Sequence, residues 1–99
     1  MVAAPNREEA TRIANALVSK ELAACVQALD ISSTYIWKGS VQHDPEVLLL
    51  IKTLSSLFSQ VQDVVRAEHS YEVPEILQLD VSAGDADYLL WMQHVTRGP

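Results

Sequence analysis

The sequence predicts an α+β fold, a ferredoxin-like βαββαβ sandwich with a long β-hairpin and an additional C-terminal helix. Two segments rich in β-favouring residues, between Ala24 and Thr53, meet at the turn Lys38-Gly39-Ser40. A segment with helical periodicity stands on either side of this pair. The run Val47 to Ile51 has no alternation, which is typical of a central strand that is buried on both faces.

The first elements are a short strand, Met1 to Ala4, and an amphipathic helix, about Arg7 to Glu21. Asn6 has the character of an N-cap, and Glu9 three residues later completes the pattern of a capping box. The periodic apolar positions of this helix are Ala10, Ile13, Ala14, Leu17 and Val18.

The two strands of the hairpin are long for the domain. A strand of about a dozen residues is roughly 40 Å long, whereas a domain of this length is only about 30 Å across. The hairpin must therefore protrude, and its apolar residues need a second surface to cover them. We expect an obligate oligomer. Asp30 with Ser32-Ser33, and His43-Asp44-Pro45 on the return strand, predict bulges or bends.

The second half of the chain repeats the order of helix and strand. Ser55 or Ser56 is the expected cap of a second helix that ends near Glu68. Ile76 to Val81 form a last short strand, and Asp85 caps a third helix. The apolar face of that helix carries Tyr88, Trp91, Met92 and Val95.

The element order predicts a single domain over residues 1–99. Right-handed crossovers give an antiparallel four-stranded sheet with both long helices on one face. In that topology the first and third strands are central and the second strand lies at an edge, which agrees with the apolar third strand.

Composition excludes several classes of function. A net charge of −6 and seven scattered Lys and Arg residues argue against nucleic-acid binding. No apolar run is long enough to cross a membrane and no secretory pattern is present, so we expect a cytoplasmic protein. The single cysteine, Cys25, excludes an intrachain disulfide. No sequence signature of an enzyme is present, and we expect no catalytic activity.

One polar group of residues, His69, Tyr71, Glu72 and Glu75, follows the second helix. An imidazole nitrogen and two carboxylates, from Glu72 and Glu75, can bind a divalent metal ion. The more common explanation of such a loop is that it fixes its own backbone or lies at a subunit contact. The group alone does not decide between them.

Three other residues can contribute to a site. Cys25 is more typical of an inert core thiol than of a soft-metal ligand. Lys52, at the end of a buried strand, requires a carboxylate or an anionic ligand nearby. Trp37, near the hairpin turn, is typical of an interface anchor.

Several segments together resemble the CutA divalent-cation tolerance family over nearly the whole chain. They are Ala4 to Ala10, Leu22 to Val26, Tyr35 to Gly39, Glu46 to Thr53, His69 to Glu75 and Tyr88 to Trp91. The resemblance implies a ferredoxin-like protomer in a homotrimer, with the long hairpins completing neighbouring sheets as in PII-type signalling proteins. It also implies a role in metal-ion tolerance, with copper and other divalent ions as proposed ligands and no established catalysis.

The chain departs from the family pattern at its N-terminus and in the loop after the second helix. Val2 stands where copper-binding relatives have a cysteine, and Glu68 replaces the first residue of a His-His pair, so that His69 alone remains. Ser70 replaces the usual proline, which we expect to loosen the loop. The first strand, Met1 to Ala4, is shorter than is usual in the family.

The leading functional hypothesis is a non-enzymatic, cytoplasmic homotrimer of the divalent-cation tolerance type. Clefts between its subunits are expected to bind copper, another divalent ion or a small anion. The candidate ligand-binding residues are Lys52, Tyr71, Glu75 and Trp37, and the candidate metal ligands are His69, Glu72 and Cys25. Two alternatives stay open: a trimeric scaffold that anchors a partner protein, and a PII-like sensor of a small molecule.

Overall fold

The computed structural model describes residues 1–97, so that Gly98 and Pro99 of the predicted 1–99 domain lie outside the described residues. The elements in chain order are β1 (Val2–Ala4), α1 (Arg7–Ser19), β2 (Cys25–Trp37), β3 (Ser40–Lys52), a 3₁₀ turn (Ser55–Leu57), α2 (Phe58–Glu68) and α3 (Ala86–Val95). Among these described residues no helix has the length and apolar character needed to span a membrane.

The hairpin turn consists of two residues that both have positive φ, Lys38 at +50° and Gly39 at +81°. Two-residue turns of this kind match the right-handed twist of the strands that they join. The turn is therefore where the sequence predicts it, and the longest dimension of the chain, 44 Å against 26 and 20 Å, confirms that the hairpin protrudes.

The predicted bulges are absent from the hairpin. The register runs without interruption from Cys25 opposite Lys52 to Trp37 opposite Ser40. Pro45 lies opposite Ser32, beyond the last residue of β3 that pairs with β1. No strand of the described part of the chain lies on the other side of Pro45. The strand accepts proline without a bulge because no ladder bond is needed there.

The sheet order is β1-β3-β2, which confirms a central β3 and puts β2 at an edge. The predicted fourth strand, Ile76 to Val81, is wrong as an extended element. It is reduced to one bridge between Ile76 and Val2, with Leu77 exchanging two backbone hydrogen bonds with Met1. Among the described residues, those from Gln78 to Val81 have no strand partner.

The helices cover one face of the sheet. The core residues with the largest fully buried side chains are Ile13, Leu17, Leu49, Val2 and Val65. Leu48 and Leu50, which point to the opposite face, are only half-buried. Burial of β3 on both faces, as the sequence predicts, is thus wrong for a single chain, because the described elements form no second layer over that face.

Two of the three predicted N-terminal helix caps are confirmed. The Asn6 side chain accepts a hydrogen bond from the Glu9 amide at 2.8 Å, and the Asp85 side chain accepts one from the Tyr88 amide at 3.1 Å. The predicted serine cap of α2 is wrong: the chain enters α2 through the 3₁₀ turn, without a side-chain cap. The α1 helix ends at Ser19, and α2 ends at Glu68 as predicted.

We predict that Gly39→Ala lowers the free energy of unfolding by about 1 to 2 kcal/mol, because a side chain disfavours positive φ. A Cβ atom at this position would meet nothing within 4 Å, so the loss reports backbone conformation alone. Urea unfolding at fixed protein concentration measures it. Lys38→Asn is the control and should not destabilise, since asparagine adopts positive φ more readily than lysine. Equal losses in both variants would contradict this explanation.

Candidate functional site

The loop that follows α2 begins with a histidine whose side chain is 0% exposed, His69. Its Nε2 lies 2.7 Å from the carbonyl oxygen of Ala3 in β1. Its Nδ1 accepts a hydrogen bond from the backbone N–H of Tyr71 at 3.1 Å. Because a carbonyl oxygen can only accept, the proton is on Nε2, and His69 is a neutral imidazole with both nitrogens used.

A buried carboxylate, Glu9 of α1, lies beside this ring. Its Oε2 is 3.4 Å from His69 Nδ1 and accepts hydrogen bonds from the Ser70 amide and hydroxyl, both at 3.1 Å. Arg12 lies 3.6 Å from the other carboxylate oxygen and also donates to Glu68. The expectation that Ser70 loosens this loop is therefore wrong, since its amide and hydroxyl are both bonded to a buried charge.

Tyr71 connects the loop to the sheet face that the helices leave open. Its hydroxyl donates to Glu46 Oε2 of β3 at 2.9 Å, and Glu46 is only 8% exposed. Burial, and then the hydrogen bond to the Glu46 carboxylate, raise the pKa of Tyr71 well above its usual value. Further along β3, Tyr35 donates to Asp44 at 2.6 Å, and that bond raises the pKa of Tyr35.

The other candidate ligand-binding residues lie apart from this group. Lys52 donates to Gln27 at 2.6 Å in an exposed hydrogen bond, and Trp37 ends β2 near the hairpin turn. Glu72 and Glu75 are exposed. Cys25 lies opposite Lys52. His69 bonds Ala3, which lies opposite Leu48, four residues before Lys52 in β3. At strand spacing Cys25 is therefore roughly 13 Å from the His69 end of the sheet.

The predicted metal ligands therefore do not form one donor set. His69 would have to give up a hydrogen bond to Ala3 or Tyr71 before it could bind an ion, and Cys25 is distant. Among residues 1–97 no group of three or more His, Cys, Asp and Glu side chains is placed to hold a metal ion. The residues of this loop do not fit a copper site in a single chain.

Sequence reasoning missed the two buried carboxylates. It assigned Glu9 to the helix cap, whereas only the Glu9 amide takes part in capping and the carboxylate bonds Ser70. The sequence offers one indication of the role of Glu46, an acidic residue just before an apolar run. A carboxylate buried at that position needs a hydrogen-bond donor, and Tyr71 is that donor.

A groove of about 570 Å³ lies at the opposite end of β3, between the N-terminus and α3. Its mostly apolar lining includes Ile51, Phe58, Leu79, Leu89 and Met92. Burial lowers the pKa of the Met1 amino group beside it, and the charge of Glu75 opposes that shift.

Comparison with known proteins gives consistent matches. A family model described as CutA1 divalent ion tolerance protein matches residues 1–95. The human Protein CutA is 48% identical over 96 residues, covering 96% of this chain and 54% of that protein. The divalent-cation tolerance protein CutA of Thermus thermophilus is 41% identical over 97 residues, covering 97% of this chain and 94% of that protein. The chain spans about half the length of its human, Arabidopsis and rice relatives.

Solved structures agree with the sequence matches. The periplasmic divalent cation tolerance protein CutA from Archaeoglobus fulgidus has a TM-score of 0.94 at 38% identity, covering 95% of this chain and 92% of that chain. The divalent cation tolerance protein from Thermus thermophilus has a TM-score of 0.93 at 42% identity, covering 96% of this chain and 93% of that chain.

We predict that Tyr71→Phe destabilises the chain by about 1 to 3 kcal/mol, because the nearly buried Glu46 carboxylate loses its hydrogen-bond donor. Tyr35→Phe should cost less, since the carboxylate that it bonds, Asp44, is at an exposed site. Chemical denaturation at neutral pH and equal protein concentration compares the two. A larger loss for Tyr35→Phe would contradict the assignment.

The same pair of variants predicts a pH dependence. A raised pKa in the folded state means that Tyr71 stabilises the fold fully below about pH 10, where an unfolded tyrosine ionises. This contribution is lost as the pH rises above that value. The wild-type chain should therefore lose more stability than Tyr71→Phe between neutral and strongly alkaline pH.

Proposed function

The chain belongs to the CutA1 divalent ion tolerance protein family, and from that premise we propose that it is a non-enzymatic homotrimer that acts in divalent-cation tolerance. The observation that carries the proposal is the apolar surface that one chain leaves open. A cytoplasmic location is part of the proposal, although relatives are named as chloroplastic in Arabidopsis and periplasmic in Archaeoglobus.

The open surface has three parts. On the uncovered sheet face Leu29 is 43% exposed. Within residues 1–97 the outer edge of β2 has no partner strand over its thirteen residues. Beyond the Ile76 bridge, Leu77, Leu79 and Val81 are exposed, as are Tyr88 and Trp91 of α3. An exposed edge strand next to apolar side chains is an aggregation hazard unless a partner covers it.

We assign the partner as two further copies of this chain. Among residues 1–97 the backbone groups of residues 78–81 have no strand neighbour, and the outer edge of β2 presents the complementary row of donors and acceptors. Addition of one subunit's hairpin to this segment of the next subunit satisfies both, as in β-strand addition. Such a head-to-tail contact closes into a ring when its rotation permits.

The divalent ion is proposed to bind outside the His69 ring. Both nitrogens of that ring are used inside the chain, so the donors that remain in the loop are the exposed carboxylates of Glu72 and Glu75. Lys52, Tyr71 and Trp37 stay predicted contacts of a cleft ligand between subunits. The ion supplies a positive charge that suits the acidic surface of a chain with net charge −6.

We predict a solution mass close to three times 10.9 kDa, by light scattering, with and without excess copper. Ser32→Pro tests the strand contact. In a hairpin closed by the pair Trp37 and Ser40, hydrogen-bonded pairs alternate, so the Ser32 amide points away from β3. Proline there leaves the chain's own ladder intact and removes an intersubunit donor, so the mass should fall. Ser32→Ala, the matched control, should keep it, and a monomeric wild type would refute the trimer.

We predict that titration calorimetry with copper and zinc gives the same affinity for the wild type and for His69→Gln. Glutamine retains an N–H that can donate to Ala3, and it has no imidazole for a metal. Glu75→Gln removes an exposed carboxylate and should weaken binding. A tenfold loss of affinity in His69→Gln, about 1.4 kcal/mol, would show that the ring is a ligand after all.

A further inference from the structure

The hairpin tip, residues 36–41, is apolar on both faces of the ribbon. Ile36 lies opposite Val41, and the two side chains are 75% and 62% exposed on one face. Successive side chains of a strand point to opposite faces, so Trp37, which is 40% exposed, lies on the other face. A flat partner surface would cover only one face of this ribbon. A concave partner surface is needed to cover both.

A concave apolar surface lies at the other end of β3. The groove there has a volume of about 570 Å³, within the range of roughly 300 to 1,000 Å³ that is typical of binding sites. Exposed side chains on its walls include Leu79 and Val81, and Leu89 of α3. The tip of the same chain cannot fill this groove. Ser40 and Lys52 are the two ends of β3, about 40 Å apart, and the register has no bulge that could fold the hairpin back.

The tip and the groove carry opposite charges. Lys38 is the only Lys or Arg among residues 21–51, and its ammonium lies 5.8 Å from the centre of the Trp37 ring. The tip therefore presents a cation together with its largest apolar side chain. Residues 78–95, on one side of the groove, contain three aspartates and no Lys or Arg, and Asp80 lines the groove itself. Charge complementarity of this kind orients two surfaces as they meet.

The positions of Lys52 and Trp37 give an independent reason to bring these surfaces together. Both are predicted contacts of one cleft ligand, yet in a single chain they lie at opposite ends of the hairpin. Lys52 lines the groove, and Trp37 lies opposite Ser40 beside the turn. Lys52 donates to the neutral side chain of Gln27, which leaves its charge available to a ligand. A cleft that contains both residues therefore needs Trp37 from a second chain.

We propose that the hairpin tip of one subunit binds in the groove of the next subunit and completes its ligand cleft with Trp37. This inference rests on the proposed trimer and specifies which parts of the two chains meet. The groove is continuous with the proposed strand contact, because residues 78–81 both line the groove and offer a free backbone edge. These residues then lie beside the tip end of β2, and the Lys38 ammonium lies toward Asp80.

The first test cross-links the tip to the groove in the full chain. Cys25→Ser removes the single native thiol, and Lys38→Cys is combined with Asp80→Cys. After reaction with a short bismaleimide, a denaturing gel should show covalent dimers and trimers. The length of β3 separates the two cysteines within one chain, so these products join different subunits. In the matched control Asp63→Cys, at an exposed position of α2, replaces Asp80→Cys and should leave the chains as monomers.

The second test measures how far Trp37 is shielded from solvent. Trp91→Phe leaves Trp37 as the only tryptophan. Its fluorescence should be protected from quenching by acrylamide in the native protein. Leu79→Asp puts a carboxylate into the apolar groove and should remove this protection. Val18→Asp is the control, since Val18 is also an exposed apolar residue but lies on α1 and should leave the protection unchanged.

Failure of this inference can be told apart from failure of the proposed trimer. A mass of three chains with no cross-link beyond the control overturns binding of the tip and leaves the trimer in place. The same holds for a trimer in which acrylamide quenches Trp37 as strongly as in the urea-unfolded chain. A monomeric wild type overturns the trimer, and binding of the tip with it. The fluorescence of Trp91→Phe needs no substitution in the tip or the groove lining, so misfolding of a cysteine variant leaves the test intact.

Discussion

The unbroken ladder between β2 and β3 is the constraint on which the rest of the structure depends. Because the register continues from Cys25 to Trp37 without a bulge, the two strands stay straight enough to extend past the helices. Helices of 13 and 11 residues can cover only part of one face of such strands. The uncovered face and the outer edge of β2 follow directly from this geometry. Both need a surface from outside the chain to bury them.

The loop after α2 acts first as a structural connection. Two carboxylates, Glu9 on the helix side and Glu46 on the open side, are buried at its two ends, and a buried charge must be hydrogen-bonded. Ser70 satisfies the first and Tyr71 the second, while His69 fixes the segment between them to β1. The polar residues that suggested a metal site here hydrogen-bond two buried carboxylates instead. The polar residues of this loop are therefore explained by folding before any ligand is considered.

Much of this fold could be predicted because its signals are local. Asn6 and Asp85 cap helices through their own backbone neighbours, and Gly39 fixes the turn by its conformational freedom. The errors arise where the structure of a segment depends on residues that are distant in the sequence. The sequence predicts a bulge around Pro45, because it does not reveal that β2 is the one strand beside these residues among those described. The strand expected from Ile76 to Val81 had the right composition, but in the described chain its pairing is limited to the bridge between Ile76 and Val2. The roles of Glu9 and Glu46 depend on contacts 61 and 25 residues away in the chain, to Ser70 and Tyr71.

Assembly and the internal charges occupy separate parts of this architecture. The surfaces proposed to join subunits are the edge of β2 and residues 78–81, where backbone groups without a strand neighbour among the described residues stand beside exposed apolar side chains. The hydrogen bonds of His69, Ser70 and Tyr71 lie inside one chain and need no second copy. The two parts meet at Tyr71 and Glu46, which border the open sheet face that a neighbour would cover. The proposed trimer therefore accounts for the edge of β2, whereas the loop after α2 is held within each chain.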